Sequence, residues 1–203
     1  MSGDIERRPR ADAIRNRERL LDAARAEFAD GRKAGRPVAL EHIARRAGVG
    51  IGTLYRHFPS REALAEAIYR EEVTQLCESV NSLLAQHDPA TSLRVWMDRF
   101  AEYVEAKREM GDALRALIDT GVVTAAASRE RLAGALQELL DAGAADGSLR
   151  ADLRADDLVT SVVGVVMATE VAGGRAQLDR LFDLLIDGVR APRTSPSRKR
   201  SGR

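Results

Sequence analysis

Between residues 40 and 58 of this 203-residue chain, side chains able to donate hydrogen bonds gather at helical spacing. Thr53, Tyr55, Arg56 and His57 fall within one short segment, and each can donate to a phosphate oxygen or a base edge. Just before them, Leu40, Ile43, Ala44 and Ala47 recur at i, i+3, i+4 and i+7, which is one buried face of a helix. Gly48 offers a left-handed turn after that helix. Phe58-Pro59-Ser60 ends the next one, because Pro59 disfavours helical geometry at the residue before it. Two short helices joined by a tight turn, the second carrying polar and aromatic groups outward, can seat in a DNA major groove. Ala44 is small where the pair would cross, and Ile43, Val49 and Leu54 supply a miniature core.

No other chemistry is assembled by spacing. His42, His57 and His87 are scattered, with neither triad nor metal-ligand spacing. Cys77 is the only cysteine, so no intramolecular disulfide can form, and a reducing cytoplasm is the expected compartment. The run Gly48-Val49-Gly50-Ile51-Gly52-Thr53 superficially looks like a phosphate-cradling loop. It lacks a preceding strand, the third glycine of the dinucleotide fingerprint and a following lysine. No paired acid and base or activated nucleophile stands out, so neither catalysis nor a cofactor nor a metal is expected. The N-terminus is Arg-rich without an apolar signal core, and the apolar stretch from Val162 to Ala168 is too short to span a bilayer. No membrane partner is expected.

The elements that must position the donors read as an all-α protein, rich in alanine and aliphatic residues and poor in aromatics. Residues 1–11 read as a flexible basic arm carrying Arg7, Arg8 and Arg10. Residues 12–60 read as a helix-turn-helix domain, 61–190 as a helical body, and 191–203 as a disordered basic tail with Arg193, Arg198, Lys199, Arg200 and Arg203. The first helix is expected over about residues 11–29, stopped by Asp30-Gly31. A long helix from about 61 to 86 follows Ser60, a ready N-cap, and can join head to body. Asp88-Pro89 opens a fifth helix, and the rest are expected near 110–119, 128–145, 156–172 and 175–189, with residues 146–153 non-helical. Net charge follows the division: residues 1–62 carry 14 Lys/Arg against 9 Asp/Glu, whereas residues 63–190 carry 13 against 22. A basic head on an acidic body is what a polyanion-binding module joined to a non-binding body would have.

Leu40-Glu41-His42-Ile43-Ala44-Arg45-Arg46-Ala47-Gly48-Val49, followed by Gly52-Thr53-Leu54-Tyr55-Arg56-His57-Phe58-Pro59-Ser60-Arg61-Glu62-Ala63-Leu64, resembles the signature of TetR-family regulators. The resemblance implies about nine helices: an N-terminal three-helix domain that binds a near-palindromic operator, and a divergent C-terminal domain that binds an effector. It also implies a homodimer built from the last two helices. Carried over by position, it implies phosphate contacts from Tyr55 and His57, Thr53 at the groove, and a backbone contact from Arg61, where the family usually has Lys. Gly50, Ile51, Gly52 and Arg56 complete the DNA-facing set, and Ile51 could meet a thymine methyl. Members often carry Thr and Ser where this chain has Ala39 and Gly50. Ala is a poor N-cap, by about 0.5–2 kcal/mol, and Gly a tolerable one.

For the effector, the aromatic and Met residues of the body, Trp96, Phe100, Tyr103, Met110, Leu117 and Met167, are candidates to line a mostly apolar pocket. Ordinary core packing is the alternative for each. The last two helices carry too many apolar residues for one narrow stripe and so bury a second face against something; the resemblance makes Leu158, Val162, Val166, Leu178, Leu181, Phe182 and Leu185 the expected dimer interface. The functional expectation is a cytoplasmic repressor released from DNA by a small ligand. Its rivals are a ligand-independent activator or architectural DNA-binding protein and, more remotely, a helical enzyme.

Overall fold

A computed structural model describes residues 7–36, 38–123, 125–172 and 174–192. Among them the chain forms nine helices: α1 (Arg7–Ala34), α2 (Leu40–Ala47), α3 (Ile51–His57), α4 (Arg61–Gln86), α5 (Pro89–Glu109), α6 (Gly111–Asp119), α7 (Ala125–Asp146), α8 (Ala155–Ala172) and α9 (Gly174–Val189). The only β-type pairing among the described residues is one antiparallel bridge between Leu149 and Arg190. No described helix is long and apolar enough to cross a membrane.

Most boundaries fall where caps and breakers put them. Ser60 Oγ accepts the Ala63 amide at 3.0 Å and so caps α4. Asp88 caps α5, accepting the Thr91 amide at 3.0 Å and the Thr91 hydroxyl at 2.7 Å. Those bonds hold the Asp88 carboxyl below the usual aspartate range, the Thr91 hydroxyl contributing most.

The first helix departs from expectation at both ends. It starts at Arg7, so Arg7, Arg8 and Arg10 belong to a helix; its first turn tolerates Pro9. It also runs through Asp30-Gly31 to Ala34. Gly31 is not a stop but a point of close approach. The chain returns over it, the Arg36 amide donates to the Gly31 carbonyl at 2.9 Å, and a β-carbon would stand 3.0 Å from the Arg36 carbonyl oxygen. The expected C-terminal tail from Arg193 on lies outside the described residues.

The chain divides into two compact units. Among the described residues, one takes in residues up to 76 and 100–130, the other 77–99 and those from 131 on. In the first unit, α1 packs on α2 and α2 on α3. Leu20, Leu21, Phe28, Ile43, Leu54, Leu64 and Ile68 are buried there. In the second, α8 packs on α9. Trp96, Met97, Leu136, Leu139, Val162 and Phe182 are buried there.

Candidate nucleic-acid interface

The turn between α2 and α3 sets where the donors point. Gly48 closes α2 at φ 65°, ψ 36°, its amide turned back on the Ala44 and Arg45 carbonyls, while the Val49 amide donates to Ala44 at 3.0 Å. This double closure satisfies carbonyls that the helix end would orphan, and it fixes the exit direction of the chain. Gly50, extended at φ −70°, then starts α3, its carbonyl accepting the Thr53 and Leu54 amides at 2.9 and 3.2 Å. Neither Gly50 nor Ala39 offers a side-chain cap to its helix.

A seven-residue helix has one face to bury, and here Leu54 is fully buried. The opposite face is open: Ile51 is 39% and Tyr55 47% exposed, with Gly52 and Arg56 also exposed. Residues 51, 52, 55 and 56 are neighbours at helical spacing, so the structure gathers them on one surface. Thr53 and His57 flank that face and are half-buried. The His57 ring lies 6.2 Å from the buried Phe58 ring, tilted by 42°. Arg61 is placed differently: its guanidinium carbon lies 5.6 Å from the centre of the Phe28 ring, and its Nε is buried without a hydrogen-bond acceptor.

Three further features had no signal in residue spacing. Arg17 stacks over the Phe58 ring at 5.4 Å, beside the C-terminal end of α3, and its side chain is exposed. Arg19, also exposed, lies against the turn at the other end. A β-carbon on Gly48 would stand 2.5 Å from Arg19 Nη2. Two guanidinium groups from α1 thus bracket α3. The third feature is Glu27, a buried carboxylate of α1 with Arg36 at 3.4 Å, Arg46 at 3.6 Å and His42 Nδ1 at 3.9 Å. It ties α1 to α2 and the loop between them. Residue spacing does not reveal these partners, because His42 and Arg46 reach Glu27 only through the packing of α1 on α2.

The apolar candidates are divided between the two units. Phe100 and Tyr103 lie 5.7 Å apart in the first unit, and Tyr103 is 6.1 Å from Tyr69. Met110 and Leu117 are buried in that unit, whereas Trp96 is buried in the second. Met167 is 54% exposed on α8, because it lies on the face of that helix turned away from Val162 and Val166. Leu158, Val162, Val166, Leu178 and Phe182 are buried within the chain, and Leu181 and Leu185 are half-buried. Among the described residues, the large apolar side chains that α8 and α9 leave exposed are Val163, Met167 and Leu184, the last 67% exposed. Part of the apolar surface of the two helices is covered where α8 packs on α9, and the Phe182 ring also lies under the Arg94 guanidinium at 5.3 Å.

Comparison with known proteins gives two family matches. "Bacterial regulatory proteins, tetR family" matches residues 20–68, and "Transcriptional regulator SbtR-like, C-terminal domain" matches residues 88–191. A TetR transcriptional regulator of Streptomyces coelicolor is 45% identical, covering 86% of this chain and 98% of that one, with a TM-score of 0.74. A TetR regulator of Mycobacterium vanbaalenii is 33% identical over 90% of this chain and 99% of that one, with a TM-score of 0.70. An HTH-type transcriptional regulator of Staphylococcus aureus is 33% identical over 82 residues, 40% of this chain. The chain spans less than half the length of the curated relatives it matches.

Proposed function

Since the chain belongs to the TetR family of DNA-binding transcriptional regulators, we propose that it is a homodimeric repressor that a small ligand releases from a near-palindromic operator. The observation that carries the reading is the open face of α3, with Ile51, Gly52, Tyr55 and Arg56 exposed beyond a turn locked by Gly48. In this reading Tyr55, His57 and the bracketing Arg17 and Arg19 hold phosphates, and Ile51, Gly52, Thr53 and Arg56 lie along the base edges from the N-cap Gly50 onward. Phosphate contacts fix register, and base contacts choose sequence.

A single seven-residue helix reads too few base pairs for specificity, so two copies are needed. A two-fold dimer presents its recognition helices about 34 Å apart, one turn of B-DNA. The exposed Val163, Met167 and Leu184, with Gly164 and Gly188 where a β-carbon would meet nothing within 4 Å, give α8 and α9 an apolar face with room for close approach. Release requires a ligand that binds the DNA-competent and DNA-incompetent arrangements unequally. The test is selection of genomic fragments on the purified protein, with the mass of the complex measured by light scattering. Paired half-sites one helical turn apart, bound by two chains, are expected. Asymmetric sites bound by one chain refute the dimer reading, and retention of no fragment above background refutes operator binding. Repression is read from a reporter placed behind the selected site.

A further inference from the structure

A cavity of about 490 Å³ opens in the first unit, between the end of α1 with the loop after it and the junction of α5 and α6. That is within the range of about 300–1,000 Å³ usual for small-molecule sites. Phe28, Val38 and Met110, all buried, contribute apolar surface to it. Arg36, Arg61 and Arg108 bring three guanidinium groups, against the carboxylates of Glu109 and Asp112. Arg36 already faces Glu27 at 3.4 Å. Arg61 is the informative one. Its guanidinium lies over the Phe28 ring at the cavity wall and makes no ion pair with a carboxylate of the described residues, so its charge is available to an anion.

We infer that this cavity is a binding site for a small amphipathic anion, a carboxylate or phosphate on an apolar body, with Arg61 holding the charged group and Phe28, Val38 and Met110 the body. The site is distinct from the set of apolar candidates named for the effector, with which it shares only Met110. Its walls suggest what binding does. One wall is the end of α1 and the loop that leads directly into α2; Arg61 is the first residue of α4, close after α3; the opposite wall is the start of α6. A ligand gripping both walls therefore favours one placement of the α2–α3 pair over others. This coupling rests on the reading of that pair as the DNA-binding element; the binding itself does not.

Calorimetric titration of the full chain without DNA tests the site, using octanoate, octyl phosphate, inorganic phosphate and neutral octan-1-ol as probes. At least one of the two amphipathic anions is expected to bind tenfold or more tightly than octan-1-ol or inorganic phosphate, and which of them binds tells carboxylate from phosphate. Arg61→Met and Arg108→Gln should each weaken that binding several-fold, whereas Arg115→Met, on the exposed side of α6, should not. Equal binding of octan-1-ol and the anions, saturation by neither anion at millimolar concentration, or full affinity in both cavity variants overturns the site. Titrating the selected DNA fragment with and without the bound anion tests the coupling. A changed DNA affinity supports it, and an unchanged one overturns the coupling while the titration without DNA still decides the site.

Discussion

Replacing Gly48 with Ala tests the geometry on which the α3 surface depends. At φ 65°, ψ 36° the backbone is in the left-handed region, where an L-residue costs about 1–2 kcal/mol. The added β-carbon would also fall 2.5 Å from Arg19 Nη2. That atom ends a long exposed side chain, so the collision adds little to the stability loss but drives the guanidinium off the turn. The expected cost of about 1–2 kcal/mol corresponds, at about 2–4 °C per kcal/mol for a chain of this size, to a melting midpoint lower by roughly 2–8 °C. Gly48→Asn should recover part of it, because Asn is the non-glycine residue best suited to this region. Urea unfolding followed by circular dichroism ranks the variants, and fluorescence anisotropy with the selected fragment ranks DNA affinity. Both orders should run wild type, Asn, Ala. A Gly48→Ala protein as stable as wild type, or no better binding in Asn than in Ala, refutes the argument from backbone strain.

Arg19→Ala should flatten the dependence of log affinity on log salt by about 0.9. Tyr55→Ala should weaken binding with little change of slope, because a phenol carries no charge; equal slope changes would undo the distinction. Gly143→Ala in α7 should destabilise the second unit by about 1–3 kcal/mol. Its β-carbon would come within 2.4 Å of Leu149 Cγ and 2.8 Å of its Cβ, and Leu149 is buried and tied by its amide to the Gly143 carbonyl at 2.9 Å, so a neutral result would be incompatible with that packing. The depressed pKa of Asp88 means that its capping contribution is complete above the ordinary aspartate value near 3.9 and fades as pH falls through the lower folded value. Asp88→Asn, which keeps an acceptor, should therefore show less acid-side loss in urea titrations between pH 5 and 2 than wild type. Burial, before any charge effect, raises the Cys77 thiol, so it should alkylate more slowly than a free cysteine at pH 7.5; a faster rate would contradict that environment.

The helix-turn-helix was legible because everything that defines it is local. The i, i+3, i+4, i+7 stripe of α2, the glycine of its turn, Pro59 and the Ser60 cap all act within a few residues, and the observed bounds of α2 and α4 coincide with those signals. Gly31 was misread because a helix stop and a point of close approach carry the same residue type; only the returning Arg36 distinguishes them. The apolar surplus of α8 and α9 could not be divided between intrachain and interchain packing from periodicity alone. That division depends on which helix covers which face, and Val162 is fully buried while its neighbour Val163 is not.

Charged residues are the hardest to place, and Arg61 and Arg19 illustrate why. By motif position Arg61 belongs on the DNA backbone, yet its guanidinium lies on Phe28 with Nε enclosed. Arg19, which no motif singles out, reaches the turn before α3. An arginine side chain spans enough distance to serve either of two neighbouring environments, and the choice follows from what its stem packs against and what its head can pair with. Backbone geometry is transferred reliably by a motif, because glycine turns and caps have few solutions. The destination of a long cation is set by tertiary neighbours such as the buried carboxylate of Glu27, which faces Arg36 and Arg46 and so limits what either can offer to a ligand or to DNA. The same motif can therefore leave different cations beside its second helix in different chains; here Arg17 and Arg19 of α1 lie beside α3, while Arg61 packs over Phe28.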